Sequence, residues 1–278
     1  MRSITRFLFI ALLLISQAGA LSVEHDRYFQ IIRHVFELLG HPVATMQEAN
    51  EFAQKNLLRT GERWEVQTET ELHAIMKKNE VSLRASLEEL YVLIHPQLQE
   101  KHYRYALVMG TIRKTVLKRI NYVATLCQQG YTFDTIVLLG GQRHLLEEEK
   151  LGLPASITTE SELMEYLYNQ HPDLNNKKML LVDAPMIQKA DGTLTRPTTD
   201  STLEQFSQMA DEKGTCLVIS NGHYTIRQTL VAARILSPLG FYSGGAGKKK
   251  KKESNIIMLM DEFARIVYEI HKSLIGSK

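Results

Sequence analysis

Four short apolar runs constrain this chain more than any other feature: Thr135 to Leu139, Met179 to Val182, Cys216 to Ile219 and Ile256 to Met260. Each is strand-length and rich in Val, Ile, Leu or Met, and none alternates with polar residues. Successive side chains of a strand point to opposite faces, so a run without alternation fits a strand covered on both. Helical stretches separate the runs: Leu145 to Glu149, Glu162 to Asn169 behind a Thr159/Glu162 capping box, Thr202 to Glu212, and His223 to Leu236. A last one carries Phe263, Ile266, Val267, Ile270 and Leu274 on one face. Strands alternating with helices predict a mainly parallel sheet between helical layers, a Rossmann-like three-layer α/β domain over residues 130–278.

Residues 21–129 read as an all-helical region preceding it. Tyr28, Ile31, Ile32, Val35, Leu38 and Leu39 recur at three- and four-residue steps until Gly40 and Pro42. Thr45 with Glu48, and Thr68 with Glu71, have capping-box spacing, and Leu83, Leu87, Leu90 and Ile94 continue the period up to Pro96. Farther on, Met109, Ile112, Val116, Ile120 and Val123 form one apolar stripe. Arg113, Lys114, Lys118 and Arg119 are interleaved around its polar faces; the plainer reading is a solvated basic face, the other a face that meets lipid or nucleic acid.

The chain opens with a basic start (Arg2, Arg6), an apolar run from Phe7 to Ile15, and small residues at Ala18 and Ala20, the pattern of a secretory signal peptide over 1–20. The expected location is therefore exported, periplasmic or secreted. At 44% apolar and 23% charged the composition is globular, and 33 basic against 31 acidic residues give no global field to track a nucleic-acid backbone. Nucleic acid is not an expected partner. Cys127 and Cys216 are the two cysteines, and two readings stand: a disulfide, or two small buried apolar side chains.

In an open parallel sheet, ligands bind outside the carboxyl ends of the strands. The first expected strand leads into Gly140-Gly141-Gln142-Arg143. The glycines allow a tight turn or a close approach to a ligand, and Arg143 suits a phosphate or carboxylate. The second ends at Asp183, which either contacts a ligand hydroxyl or metal, or caps a loop. The third leads into Ser220-Asn221-Gly222-His223, with Arg227 one turn later. His223 and Arg227 beside the exposed amides of a helix start make an anion site; the plainer reading gives them helix initiation and a surface charge. Between these strands, Thr198, Thr199, Ser201 and Thr202 exceed the one or two hydroxyls that a helix cap uses.

The order Leu-Leu-Gly140-Gly141, then Thr199-Asp200-Ser201-Thr202-Leu203-Glu204-Gln205, then Val-Ile-Ser220-Asn221-Gly222-His223 with Arg227, resembles the YdcF/SanA/ElyC-like family of bacterial proteins. That family's middle motif runs roughly Ser-x-Asn-Thr-x-Glu-Asn. Thr199 stands for its Ser, Ser201 for the first Asn, Thr202 for the Thr, Glu204 for the Glu and Gln205 for the last Asn. Both asparagines are replaced, while Thr202, Glu204, His223 and Arg227 are kept. The resemblance spans about residues 134–260. It implies a Rossmann-like fold, attachment to or export into the bacterial envelope, and a part in envelope maintenance. Nucleotide-like ligands including S-adenosylmethionine are associated with that family. Export favours instead a phosphorylated or otherwise anionic envelope metabolite.

Other chemistries lack their patterns. Gly247-Lys248 has Tyr242 where a phosphate-binding Walker loop needs Gly, and GxGxxG, GxSxG and HExxH do not occur. No cofactor or metal is assigned. The leading expectation is a small-anion site in which Arg143, Arg227 and helix amides hold the ligand and Thr202 positions it, with Gly140, Gly141, Asp183, Thr199, Ser220 and Asn221 lining it. Glu204 or His223 would be its general acid or base. The alternative is a non-catalytic envelope interaction protein using the helical half and the run Lys248 to Lys252, which has the charge to meet an anionic membrane surface.

Overall fold

The computed structural model describes residues 26–58, 70–94, 98, 100–222, 224–248 and 255–276. The expected signal peptide over 1–20 lies outside the described residues, as do His223 and Lys249 to Lys252. The chain divides into two compact units, which are described separately.

The first unit begins with α1 (residues 26–38), α2 (Met46–Asn56), α3 (Glu71–Lys78) and α4 (Glu80–Ile94). The apolar period of α1 buries Ile31, Ile32, Val35 and Phe36, and Leu39 just after it is buried too. Thr45 caps α2 by accepting from the Glu48 amide. At α3 the cap is Thr70 with His73, so Glu71 opens that helix instead of closing a box with Thr68.

The second unit holds β1 (His102–Met109), α5 (Arg113–Gln128), β2 (Thr132–Gly141), α6 (Glu147–Lys150), α7 (Glu160–Asn169), β3 (Met179–Ala184), a small hairpin β4 (Ile187–Gln188) and β5 (Leu194–Thr195), α8 (Thr199–Met209), β6 (Thr215–Asn221), α9 (Tyr224–Leu236) and β7 (Tyr242–Lys248). The main sheet is parallel throughout, in the order β3-β2-β1-β6-β7. One face packs on α5 and α7 through Val116, Ile120, Val123, Leu163 and Met164; the other packs on α8 and α9 through Leu203, Phe206, Val231 and Ala232. Within β2 and β6, Ile136, Leu138, Leu217 and Ile219 face the first layer while Val137, Leu139, Cys216 and Val218 face the second. Both faces are dry, which is why these strands carry unbroken apolar runs. The fold is the expected Rossmann-like α/β sandwich, preceded by a helical region.

Two strands differ from the sequence reading. Residues 102–109, within the stretch read as helical, form β1, the middle strand of the sheet. Its polar start, His102 and Arg104, and the three-residue step from Met109 to Ile112 favoured the helical reading, but Tyr105 to Met109 is a buried run of the same kind as the others. At the other end, Ile256 to Met260 is not a strand. It opens α10 (Ile256–Gly276), whose buried Ile256, Leu259, Met260, Phe263, Ile266, Val267 and Ile270 keep a helical period throughout. The last strand is instead the glycine-rich β7, where a Cβ on Gly245 would collide with Thr229 of α9.

Through His271, α10 belongs to the first unit, where Phe263 meets Phe36 at 5.8 Å between ring centres and Gln54 donates to the Ala264 carbonyl at 2.9 Å. The second unit starts after Ile94, so the break along the chain falls well before residue 130. Among the described residues no helix is long and apolar enough to cross a membrane. Cys127 and Cys216 are free thiols, packed against opposite faces of the sheet.

Candidate functional site

Strand order sets the place to look. The chain builds outward from β1 through β2 to β3, then crosses back to lay β6 on the other side of β1. The connections leaving β1 and β6 therefore diverge, and a crevice opens between their carboxyl ends. Met109 and Gly110 stand on one side of it, Ser220 and Asn221 on the other.

Arg119 reaches this point from α5. It lies three residues after Val116 and one before Ile120, on the helix face that packs on the sheet, and is 3% exposed. Its Nη1 donates to the carbonyls of Met109 at 2.6 Å and Gly110 at 3.0 Å, and its Nε to Asn221 Oδ1 at 2.9 Å. One buried side chain thus ties together the ends of the two diverging strands. Burial pulls its pKa down to about 9, partly offset by Glu160, while Arg227 lowers it further.

Glu160, the first residue of α7, sits over Gly110: a Cβ added there would lie 3.0 Å from Glu160 Oε1 and 2.7 Å from the Leu139 carbonyl. Burial raises its pKa above the ordinary carboxylate value, against the attraction of Arg143, Arg196 and Arg119. Arg143 approaches it at 3.7 Å and grips Glu149 at 2.8 and 3.2 Å. Glu149 is 4% exposed and also accepts from the amides of Leu146 and Arg113, both at 3.0 Å. Burial alone would raise its pKa, but the Arg143 guanidinium and these amides hold it below the usual carboxylate range. The chain therefore places its own carboxylate at the amino end of α5, where a nucleotide-binding fold of this topology receives a phosphate.

The expected site residues fall into two groups. Arg143, Asn221 and Arg227 come together around Arg119 and Glu160. The others have structural partners. Gly140 and Gly141 do not form a turn; they end β2, paired with Asp183 and Ala184, and are glycine because a Cβ would lie 2.8 Å from Ser161 Cα or 2.6 Å from the Pro197 ring. Asp183 accepts from Ser161 Oγ at 2.6 Å and Gln142 Nε2 at 3.1 Å. The buried Ser220 hydroxyl is bonded to the Gln228 side chain. Capping accounts for more hydroxyls than expected: Thr198 and Ser201 bond each other's amides in a capping box, and Thr202 Oγ1 donates to the Thr199 carbonyl at 3.0 Å. Thr199 opens α8. Glu204 is exposed on α8, and Arg119, Arg143 and Glu160 are not among its contacts. His223 lies outside the described residues.

Arg119, Glu149 and Glu160 were not read as site residues. The signal for Arg119 was present, since its spacing from Val116, Ile120 and Val123 puts it on the apolar stripe instead of the polar face. A charge forced onto a buried face needs a reason. The chemistry lies at the carboxyl edge of the sheet, whereas a groove of about 380 Å³ lined by Ser207, Asp211, Lys213 and Phe241 lies toward the amino ends of β6 and β7. Among the described residues no group of three or more His, Cys, Asp or Glu is arranged to hold a metal ion. No family model, curated protein or solved structure matches this chain. What fold and site together define is a Rossmann-like α/β domain with an arginine-rich cluster at its topological switch point.

Proposed function

We propose that this is an exported, YdcF-like protein of the cell envelope whose α/β domain binds a small anionic ligand, phosphorylated or nucleotide-like, between the carboxyl ends of β1 and β6. One observation carries the reading: Arg119, Arg143, Arg196 and Arg227 lie within electrostatic range of one another's partners there, against the two carboxylates Glu149 and Glu160. Glu149 is already committed to Arg143 and two backbone amides, while the buried Arg119 donates only to the neutral oxygens of Met109, Gly110 and Asn221. Positive charge in a partly desolvated cleft recruits an anion. The segment Lys248 to Lys252 gives the same protein a means of resting on an anionic membrane surface, an attraction that salt weakens.

Native mass spectrometry of the exported chain beside its His223→Ala/Arg227→Ala variant tests the ligand. A small anion carried by the first and missing from the second is the expected result. An anion carried equally by both would remove the site from this crevice.

A further inference from the structure

We infer that Glu149 determines which anions the crevice accepts: its carboxylate closes the α5 end, so the ligand carries one anionic group, set toward β6, and a diphosphate is turned away. The inference rests on the anion-binding reading above and narrows its ligand class.

Two helices start at the crevice, α5 after β1 and α9 after β6. In a nucleotide-binding fold of this topology, the glycine turn after the first strand lets a diphosphate approach and the helix amides behind it donate to the phosphates. Here side chains of the protein itself take both places. The room left by Gly110 is filled from α7, since a Cβ added there would lie 3.0 Å from Glu160 Oε1. At the amino end of α5, Glu149 Oε1 accepts from the Arg113 amide at 3.0 Å and Arg143 Nη2 at 3.2 Å, and Oε2 from the Leu146 amide at 3.0 Å and Arg143 Nη1 at 2.8 Å. Each oxygen faces two N–H donors, an arrangement that an ionised carboxylate answers and a protonated one does not. Arg113 Nη1 fastens the same segment by donating to the Glu149 and Leu151 carbonyls.

An anionic group directed at α5 therefore meets a full negative charge, and the donors it would need are already spent. Like charges side by side in a partly desolvated site reject a partner strongly. The β6 side differs. Arg119 is 3% exposed and donates only to neutral oxygens, and among the described residues no carboxylate oxygen lies within 4.0 Å of its guanidinium. The chain answers one end of the crevice and leaves the other to the ligand.

Isothermal titration of the full chain with inorganic phosphate and with inorganic pyrophosphate tests this in wild type, Glu149→Ala and Glu148→Ala; Glu149→Gln replaces the alanine if that variant does not fold. Wild type is expected to bind the two anions with affinities within about fivefold of each other, and Glu149→Ala to bind pyrophosphate at least about tenfold more tightly than wild type does. Glu148 is exposed on α6, so Glu148→Ala removes the same charge from the same helix without opening the α5 end, and should leave both affinities within about twofold. A gain as large in Glu148→Ala would assign the effect to net charge, and no gain in the Glu149 variants would make Glu149 a helix cap alone. Either overturns the inference while the anion-binding reading stands, as does a wild type that prefers pyrophosphate by more than about fivefold. Binding of neither anion by wild type would overturn the reading and the inference together.

Discussion

Arg143 holds Glu149 with both arms of its guanidinium, Nη1 to Oε2 at 2.8 Å and Nη2 to Oε1 at 3.2 Å, and Glu149 in turn accepts the Arg113 amide at the start of α5. Ile112, the cap residue of that helix, offers no side-chain bond, so a carboxylate from α6 does the capping. The helix dipole and the guanidinium favour the same charge at the same point.

Glu149→Ala should therefore be costly, by about 3 kcal/mol, because it leaves the part-buried Arg143 without its main partner and α5 without a cap. Urea denaturation should show a lower midpoint with an unchanged slope. A midpoint within error of the wild type would mean that the pair contributes nothing net.

The two carboxyls give opposite pH dependences. The pKa of Glu149 is lowered in the fold, so its contribution is present above the ordinary carboxylate pKa of 4.5 and is lost as pH falls through the lower folded value. The pKa of Glu160 is raised, so it favours the fold below 4.5 and that contribution is lost as pH rises toward its folded value. Glu149→Gln should lose less stability than wild type between pH 5 and pH 3, roughly the window below the ordinary carboxylate pKa. Glu160→Gln should remove a decline that sets in as pH rises above 4.5. Unfolding free energies measured across this range check both signs.

Gly140→Ala should cost about 1–3 kcal/mol through overpacking, since its Cβ would meet backbone, Ser161 Cα at 2.8 Å, which has little room to yield. Its backbone is not in the left-handed region, so close approach alone accounts for the glycine. Chemical denaturation of the variant measures the loss.

Thr202→Val should change stability by less than about 1 kcal/mol and leave any small anion that the chain carries in native mass spectrometry in place, because its hydroxyl only donates back to the helix carbonyl of Thr199. Thr198→Ala should cost about 1 kcal/mol as a lost cap. Loss of that anion in Thr202→Val would return the hydroxyl to the ligand site.

Reducing agent should leave the Tm unchanged, since Cys127 and Cys216 are free and face opposite layers. Burial pushes the Cys216 thiol up to about 12, so native alkylation followed by mass spectrometry should leave Cys216 unmodified.

Local pattern determined much of this protein. Unbroken apolar runs at Thr135 to Leu139 and Cys216 to Ile219 marked strands dry on both faces, the Thr159/Glu162 box marked the start of α7, and strands alternating with helices marked a parallel α/β sandwich. These are legible because burial and capping act over a few residues at a time. Arg143, Asn221 and Arg227 were legible for a related reason, as they lie at or shortly after strand ends. Tertiary structure decided the rest. It made His102–Met109 the middle strand, and so put the switch point between β1 and β6. It explained Gly140 and Gly141 by the neighbours pressed against them, and absorbed the hydroxyls of Thr198, Ser201 and Thr202 into one helix cap. It gave the buried Arg119 its partners at the crevice and took Glu149 to the amino end of a helix 36 residues away in sequence. A charge acts through space on whatever the fold brings near it, and separation along the chain does not record that distance.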